Sequence, residues 1–146
     1  MAGHDCTQLL GAIQRALEPI EEVRAALLFG SQATGGARPD SDIDVAVLLD
    51  VDSGKPSTQT HWVRRLLAAL HRELAADRVD LVILNGAPPA LAFQVLKHGR
   101  VALERDRRDL HRFRVRTYSA HADYEPVERL FRAATKQRAL AGLQRG

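Results

Sequence analysis

Three short apolar segments, separated by stretches of helical periodicity, restrict the fold more than any other feature of this sequence. The first covers residues 25–29 and stops at Gly30, the second alternates over 43–49, and the third covers 79–84. Short apolar runs bounded by turn residues are typical of buried strands. Strands interleaved with helices predict an α/β or α+β domain, in which helices pack on a small mixed β-sheet.

Apolar stripes at helical spacing lie between and beyond these strands. They predict a helix over residues 10–20 with Thr7 as its cap, a second over 63–74, and a third that Pro88 and Pro89 open. A short edge strand is expected at Val101 and Leu103. From about residue 106 the chain is expected to be helical, on the apolar residues Leu110, Phe113, Val127, Leu130 and Phe131.

Length and composition limit the class of protein. The 146 residues fit one domain, expected to span 1–146, and leave little room for a separate substrate-binding domain. Cys6 is the single cysteine, the N-terminus has no signal pattern, and no apolar stretch could span a bilayer, so we expect a cytoplasmic protein with no membrane partner. Aromatic residues make up only 5% of the chain, which argues against a platform for stacking bases.

Three carboxylates fall on the predicted strands. Asp42 and Asp44 stand two residues apart at the start of the second strand, and period two places both on one face, with Cα atoms roughly 6.5 Å apart. Asp80 lies inside the apolar third strand, where an acid is costly to bury unless something neutralises it. Three acids on one sheet face would repel each other without a cation, and magnesium prefers such ligands.

Each of these residues also has a plain structural interpretation. Asp42 can serve the turn that precedes the strand, and Asp80 can form a salt bridge with Arg78. Asp44 has no such explanation. Gly30 and Ser31 follow a buried strand, where glycine allows close approach of a phosphate and the serine hydroxyl can hold it, although a plain strand-to-helix turn would look the same.

Two other motifs are excluded. A Walker-type phosphate loop would need Lys-Ser or Lys-Thr after Gly35, and the sequence has Gly36-Ala37. A calcium loop beginning at Asp40 would need glycine where Val45 stands, and glutamate where Val51 stands.

Gly30-Ser31, ten intervening residues, Asp42-Ile43-Asp44 and a later strand acid together resemble the DNA-polymerase-β-like nucleotidyltransferase superfamily. Residues 28–47 look specifically like the minimal nucleotidyltransferases, the antitoxins of HEPN/MNT type VII toxin–antitoxin pairs. The resemblance implies that Asp42, Asp44 and Asp80 are catalytic and bind two magnesium ions. It also implies that Gly30 and Ser31 bind the nucleotide, with ATP as substrate.

The same resemblance implies the acceptor. Relatives that modify small molecules or RNA usually carry added domains, so the expected acceptor is a tyrosine of a HEPN ribonuclease toxin, which AMP transfer would silence. Two alternatives stay open: an antitoxin that neutralises its toxin by binding alone, and a small-molecule nucleotidyltransferase of the aminoglycoside type. Many relatives have arginine where this chain has Gln32, and often also where it has Thr34.

A basic stretch follows the last predicted strand, with arginines interleaved with Asp106 and Asp109. We interpret it as a solvated helix face. The alternative is a contact surface for triphosphate, RNA or an acidic partner, but no RNA-binding motif is present and we expect no direct nucleic-acid binding. The arginines concerned are Arg105, Arg107, Arg108, Arg112, Arg114 and Arg116.

Overall fold

A mixed four-stranded sheet forms the centre of the protein. The computed structural model describes residues 5–35, 42–74 and 78–120. The strands are β1 (Val23–Phe29), β2 (Ile43–Leu49), β3 (Val79–Ile83) and β4 (Arg100–Glu104), in the order β3-β2-β1-β4. Strand β1 is antiparallel to β2 and β4, whereas β2 and β3 are parallel. The predicted mixed sheet and the edge strand at 101–103 are therefore confirmed.

Five helices accompany the sheet in the described part of the chain. They are α1 (Cys6–Leu17), α2 (Ser31–Thr34), α3 (Gln59–Leu74), α4 (Pro89–His98) and α5 (107–120). The predicted cap of α1 was wrong by two residues. Asp5 is the N-cap, and its carboxylate accepts a hydrogen bond from the backbone N–H of Thr7 at 3.4 Å.

The alternation of side chains along β1 and β2 divides the core between the two faces of the sheet. Ala26, Leu28, Val45 and Val47 face α1 and α3, which pack against each other on that side. The intervening residues face α4 and α5 on the other side: Ala25, Leu27, Ala46 and Leu48. Both faces of β1 and β2 are thus buried, which explains why their sequences are almost continuously apolar.

Helix α5 confirms the first part of the predicted helical C-terminal segment, because Leu110 and Phe113 are buried against the sheet. The other apolar residues predicted for that segment lie outside the described residues: Val127, Leu130 and Phe131. Across residues 5–35, 42–74 and 78–120, no helix combines the length and apolar character needed to cross a bilayer.

Arg105 departs from the predicted solvated helix face. It precedes α5 and points inward, where Nε donates to the carbonyl of Val23 at 2.5 Å. One terminal nitrogen donates to the carbonyls of Leu17, Glu18 and Ile20, at 3.2, 2.6 and 2.9 Å. Carbonyls at the end of a helix have no intrahelical donor, so Arg105 ties the end of α1 to the sheet.

Candidate active site

Asp44 and Asp80 lie side by side across the parallel strands β2 and β3. They are register partners, and Phe29 of β1 is the partner of Asp44 on its other side. Directly opposed residues project from the same face of a sheet. Ala46 and Leu48, further along β2, belong to the core beneath α4 and α5. The two carboxylates therefore project from the face that α4 and α5 cover.

The pKa of Asp44 shows how closely these carboxyl groups interact. Burial, which is the largest cause, together with the charges of Asp80 and Asp42 and a hydrogen bond to Asp80, raises this pKa from 3.8 to about 6. A hydrogen bond between two carboxyl groups requires one of them to carry a proton. A bound cation could take the place of that proton, because it too would offset the repulsion.

The other two acids are more open to solvent than the sequence suggested. Asp80 is exposed, so the expected cost of burying an acid in β3 does not arise. Asp42 is half-buried and directly precedes β2. The alternative interpretation of Asp80 as a salt-bridge partner of Arg78 does not hold, since the arginine pairs with Asp42 at 3.9 Å.

The donor chemistry of this cluster suits magnesium, which prefers carboxylate oxygens. The structure brings Asp44 and Asp80 together, with Asp42 near enough to raise the pKa of Asp44 but beside Arg78. No three Asp, Glu, His or Cys side chains of the described residues are already gathered around a common metal position. The cluster therefore consists of two adjacent carboxylates, Asp44 and Asp80, with the carboxylate of Asp42 at its edge.

Gly30 joins the predicted phosphate loop directly to the carboxylates. Its φ of +73° is one that side chains rarely adopt, and a Cβ at this position would lie 3.1 Å from Cγ of Asp44 and closer still to the carboxylate. The Gly30 carbonyl accepts hydrogen bonds from the N–H groups of Ala33 and Thr34, at 3.1 and 3.3 Å. Ser31 begins α2 and is half-buried. The turn therefore lies against the carboxylate of Asp44.

Gln32 and Thr34 occupy the two positions where arginine is common in relatives, and their side chains fit this turn. Gln32 is only 8% exposed. The hydroxyl of Thr34 lies 3.4 Å from the carbonyls of Gly30 and Ser31 and donates to them. Helix α2 accordingly contributes no cation to the site.

The partner of Arg78 is a feature of the site that the sequence did not reveal. Arg78 and Asp80 have the same parity and share a face, but the parallel register of β2 and β3 brings Arg78 next to Asp42. In the structure the Arg78 carbonyl also accepts the N–H of Ile43 at 3.0 Å, which extends the β2–β3 pairing to the edge of the carboxylate cluster.

Comparison with known proteins identifies the family. The model of the family described as polymerase beta, nucleotidyltransferase matches residues 12–108, which include the turn and all three acids. This chain belongs to the polymerase beta nucleotidyltransferase family. The nucleotidyltransferase fold and the family resemblance seen in residues 28–47 are thereby confirmed.

Several relatives of this nucleotidyltransferase have been characterised. The protein adenylyltransferase MntA of Aphanizomenon flos-aquae is 27% identical over 120 residues, 79% of either chain. A toxin–antitoxin crystal structure with AMP-PNP is 27% identical, with a TM-score of 0.67 over 87% of this chain and 98% of that one. A tri-AMPylated Shewanella oneidensis HEPN toxin in complex with MNT antitoxin gives 25% identity and a TM-score of 0.62, over 90% and 98%.

Proposed function

We propose that this nucleotidyltransferase is an antitoxin that transfers AMP from ATP to a tyrosine of a cognate HEPN ribonuclease toxin, releasing pyrophosphate and silencing the toxin. The observation that carries the proposal is the Asp44–Asp80 pair next to the Gly30 turn. It occurs in a chain similar, over most of its length, to MntA and to an antitoxin crystallised with an AMPylated toxin.

The turn after β1 is assigned to the triphosphate. Because Gly30 has no side chain, the β- and γ-phosphates can approach the backbone next to Asp44. The Ser31 hydroxyl and nearby backbone N–H groups donate hydrogen bonds to them. With no cation from α2, binding by this loop depends more on these donors than it would in relatives that carry arginine there.

Asp42, Asp44 and Asp80 are assigned as ligands of two magnesium ions. When bound, the ions neutralise triphosphate charge and lower the pKa of the acceptor hydroxyl. Asp44 is central to this assignment, since it lies between the turn and Asp80, and burial and the neighbouring acids raise its pKa.

The chemical step is an in-line displacement at the α-phosphorus. The acceptor oxygen forms a bond to phosphorus, the bond between phosphorus and the bridging oxygen of pyrophosphate breaks, and the hydroxyl proton passes to Asp80. Asp80 suits this role because it is exposed and adjacent to Asp44. Catalysis then consists mainly of positioning and charge neutralisation. We further propose that the reaction takes place in the cytoplasm.

The test is a transfer assay with the HEPN toxin, ATP and magnesium, analysed by mass spectrometry of each chain. The toxin should gain one or more AMP units, and Asp44→Asn should abolish the gain and leave toxin ribonuclease activity intact. Asp52→Asn is the matched control, because it removes an exposed carboxylate paired with Lys55 outside the site.

Three outcomes would redirect the proposal. Protection of RNA by Asp44→Asn equal to that by wild type would indicate an antitoxin that acts by binding alone. Transfer only to an aminoglycoside would indicate a small-molecule enzyme. A mass gain on Tyr118 of this chain and none on the toxin would establish the chemistry without the proposed acceptor.

A further inference from the structure

Arg78 places a cation at one side of the carboxylate cluster. Its guanidinium lies 3.9 Å from Asp42, and its side chain is 72% exposed. The other ion pairs observed among the described residues do not involve Asp42, Asp44 or Asp80. The mechanism proposed above assigns roles to the three acids but none to Arg78.

The strand order decides which substrate Arg78 faces. The turn assigned to the triphosphate follows β1, whereas Arg78 directly precedes β3 and Asp80 is near its start, and β2 with Asp44 lies between them. Neighbouring strands are about 4.8 Å apart, so the loop and the start of β3 are separated by roughly 10 Å. With the triphosphate at Gly30, as proposed above, Asp44 lies between the triphosphate and β3, which leaves the β3 side for the acceptor.

The backbone of Arg78 is held while its side chain remains available. The carbonyl of Arg78 accepts the N–H of Ile43 at 3.0 Å, which anchors the residue to β2. Its pairing with Asp42 is long, and both side chains are well exposed, at 72% and 45%. Exposed ion pairs of this kind contribute little to stability, so exchanging Asp42 for another anion costs little.

We propose that Arg78 is a positioning residue for the acceptor: its guanidinium binds an anionic group that neighbours the acceptor hydroxyl. This inference rests on the proposed function, and it defines the substrate as an acceptor with a negative charge beside the reacting oxygen. Arginine suits the task because its planar guanidinium donates two parallel hydrogen bonds to a carboxylate or a phosphate oxygen pair.

Two sources can supply that anion. One is a carboxylate of the acceptor protein next to the acceptor hydroxyl. The other is the phosphodiester left by an earlier AMP transfer, which would let Arg78 favour a second addition onto the same acceptor. Removing Arg78 should affect a different AMP addition in each case, so kinetics can distinguish the two sources.

The experiment compares Arg78→Ala, Arg78→Lys and wild type with the HEPN toxin as acceptor. For Arg78→Ala we expect the KM for the acceptor to rise about tenfold, as for the loss of a charge-assisted hydrogen bond. The KM for ATP and the thermal midpoint should not change, and Arg78→Lys should be intermediate. Arg64→Ala is the matched control, because Arg64 is an exposed arginine of α3, on the opposite face of the sheet.

The two sources are distinguished by the order of additions. If the anion is a carboxylate of the acceptor, Arg78→Ala should impair the first AMP addition. Calorimetry should then also show that this variant binds unmodified toxin more weakly than wild type does, without ATP. If the anion is the phosphodiester of an earlier transfer, Arg78→Ala should carry out the first AMP addition normally, and its product should stop at one AMP unit.

The proposal is overturned if Arg78→Ala raises the KM for ATP and leaves that of the acceptor unchanged, because Arg78 would then bind triphosphate. It is also overturned if Arg78→Ala changes neither the constants of the first addition nor the number of AMP units transferred. If wild type transfers nothing to the toxin, the proposed function fails. In that case, calorimetry tests the role of Arg78 separately. If wild type and Arg78→Ala bind unmodified toxin with equal affinity, the proposed role of Arg78 is rejected as well.

Discussion

Gly30 lies directly against the carboxylate of Asp44, so that the turn after β1 and the acid of β2 form one surface. This contact requires glycine twice, once for its φ of +73° and once because a Cβ would lie 3.1 Å from Cγ of Asp44. The turn assigned to the phosphates and the carboxylate assigned to the metal are therefore coupled, and a change at one must displace the other.

The first prediction separates these two requirements. Gly30→Ala should abolish AMP transfer, because the new methyl group displaces the Asp44 carboxylate. Gly35→Ala is the control, since Gly35 also has a positive φ, +83°, but nothing lies within 4 Å of the position of its Cβ. Gly35→Ala should lose about 1 kcal/mol of stability from its left-handed conformation. Gly30→Ala should lose more, since its ψ of −158° lies in a region that is essentially restricted to glycine. Equal activity of the two variants, measured beside their thermal midpoints, would contradict the coupling.

The second prediction concerns the pH dependence of stability. The folded-state pKa of Asp44 is about 6, against 3.8 for an unperturbed aspartate, so the folded protein holds this proton more tightly. Its contribution to stability is full below pH 4 and is lost as the pH rises through 6.

With chelator present, Asp44→Asn should therefore have no stabilising effect near pH 4 and should stabilise the protein above pH 6. We expect on the order of 1 kcal/mol, because solvent screens this partly exposed cluster. Denaturant unfolding at pH 4, 6 and 8 measures it. A stabilisation that is the same at all three pH values would show that burial and the neighbouring acids do not raise the pKa of Asp44.

The third prediction concerns Arg105, which donates hydrogen bonds to four carbonyls around the end of α1. Arg105→Ala should destabilise the fold by about 2–3 kcal/mol, because those carbonyls lose a charged donor. Arg105→Lys should recover only part, since an ammonium lacks the planar fork. Arg108→Ala should leave the midpoint unchanged, because its pair with Asp106 is exposed. Similar losses in Arg105→Ala and Arg108→Ala, in thermal unfolding, would refute the assignment.

The fourth prediction concerns Asn85, whose side chain forms two hydrogen bonds with the backbone of Leu49, at 2.9 and 2.8 Å. The amide thereby extends the β2–β3 pairing at the end of β2 opposite Asp44. Asn85→Ala should cost about 1–2 kcal/mol of stability. At temperatures below thermal unfolding, the affinity of Asn85→Ala for triphosphate should equal that of wild type, which calorimetry can verify. A clear loss of triphosphate affinity in Asn85→Ala would show that the two ends of β2 are not independent.

Much of this protein could be inferred from local sequence patterns. The apolar runs at 25–29 and 43–49 predicted two strands because strands buried on both faces read as continuous apolar segments. The alternation of Asp42 and Asp44, and the glycine after β1, indicated the site because period two and glycine's conformational freedom are properties of the chain itself. The family resemblance over 28–47 rested on the same local features.

What only the tertiary structure decided depends on strand order and register. The pairing of Asp44 with Asp80, the raised pKa that follows from it, and the contact of Gly30 with Asp44 join residues distant in sequence. Arg105 was misplaced on a solvated face because its carbonyl partners belong to another element. Arg78 was paired with the wrong acid, since parity gives the face of a side chain but the parallel register of β2 and β3 determines which neighbour it meets.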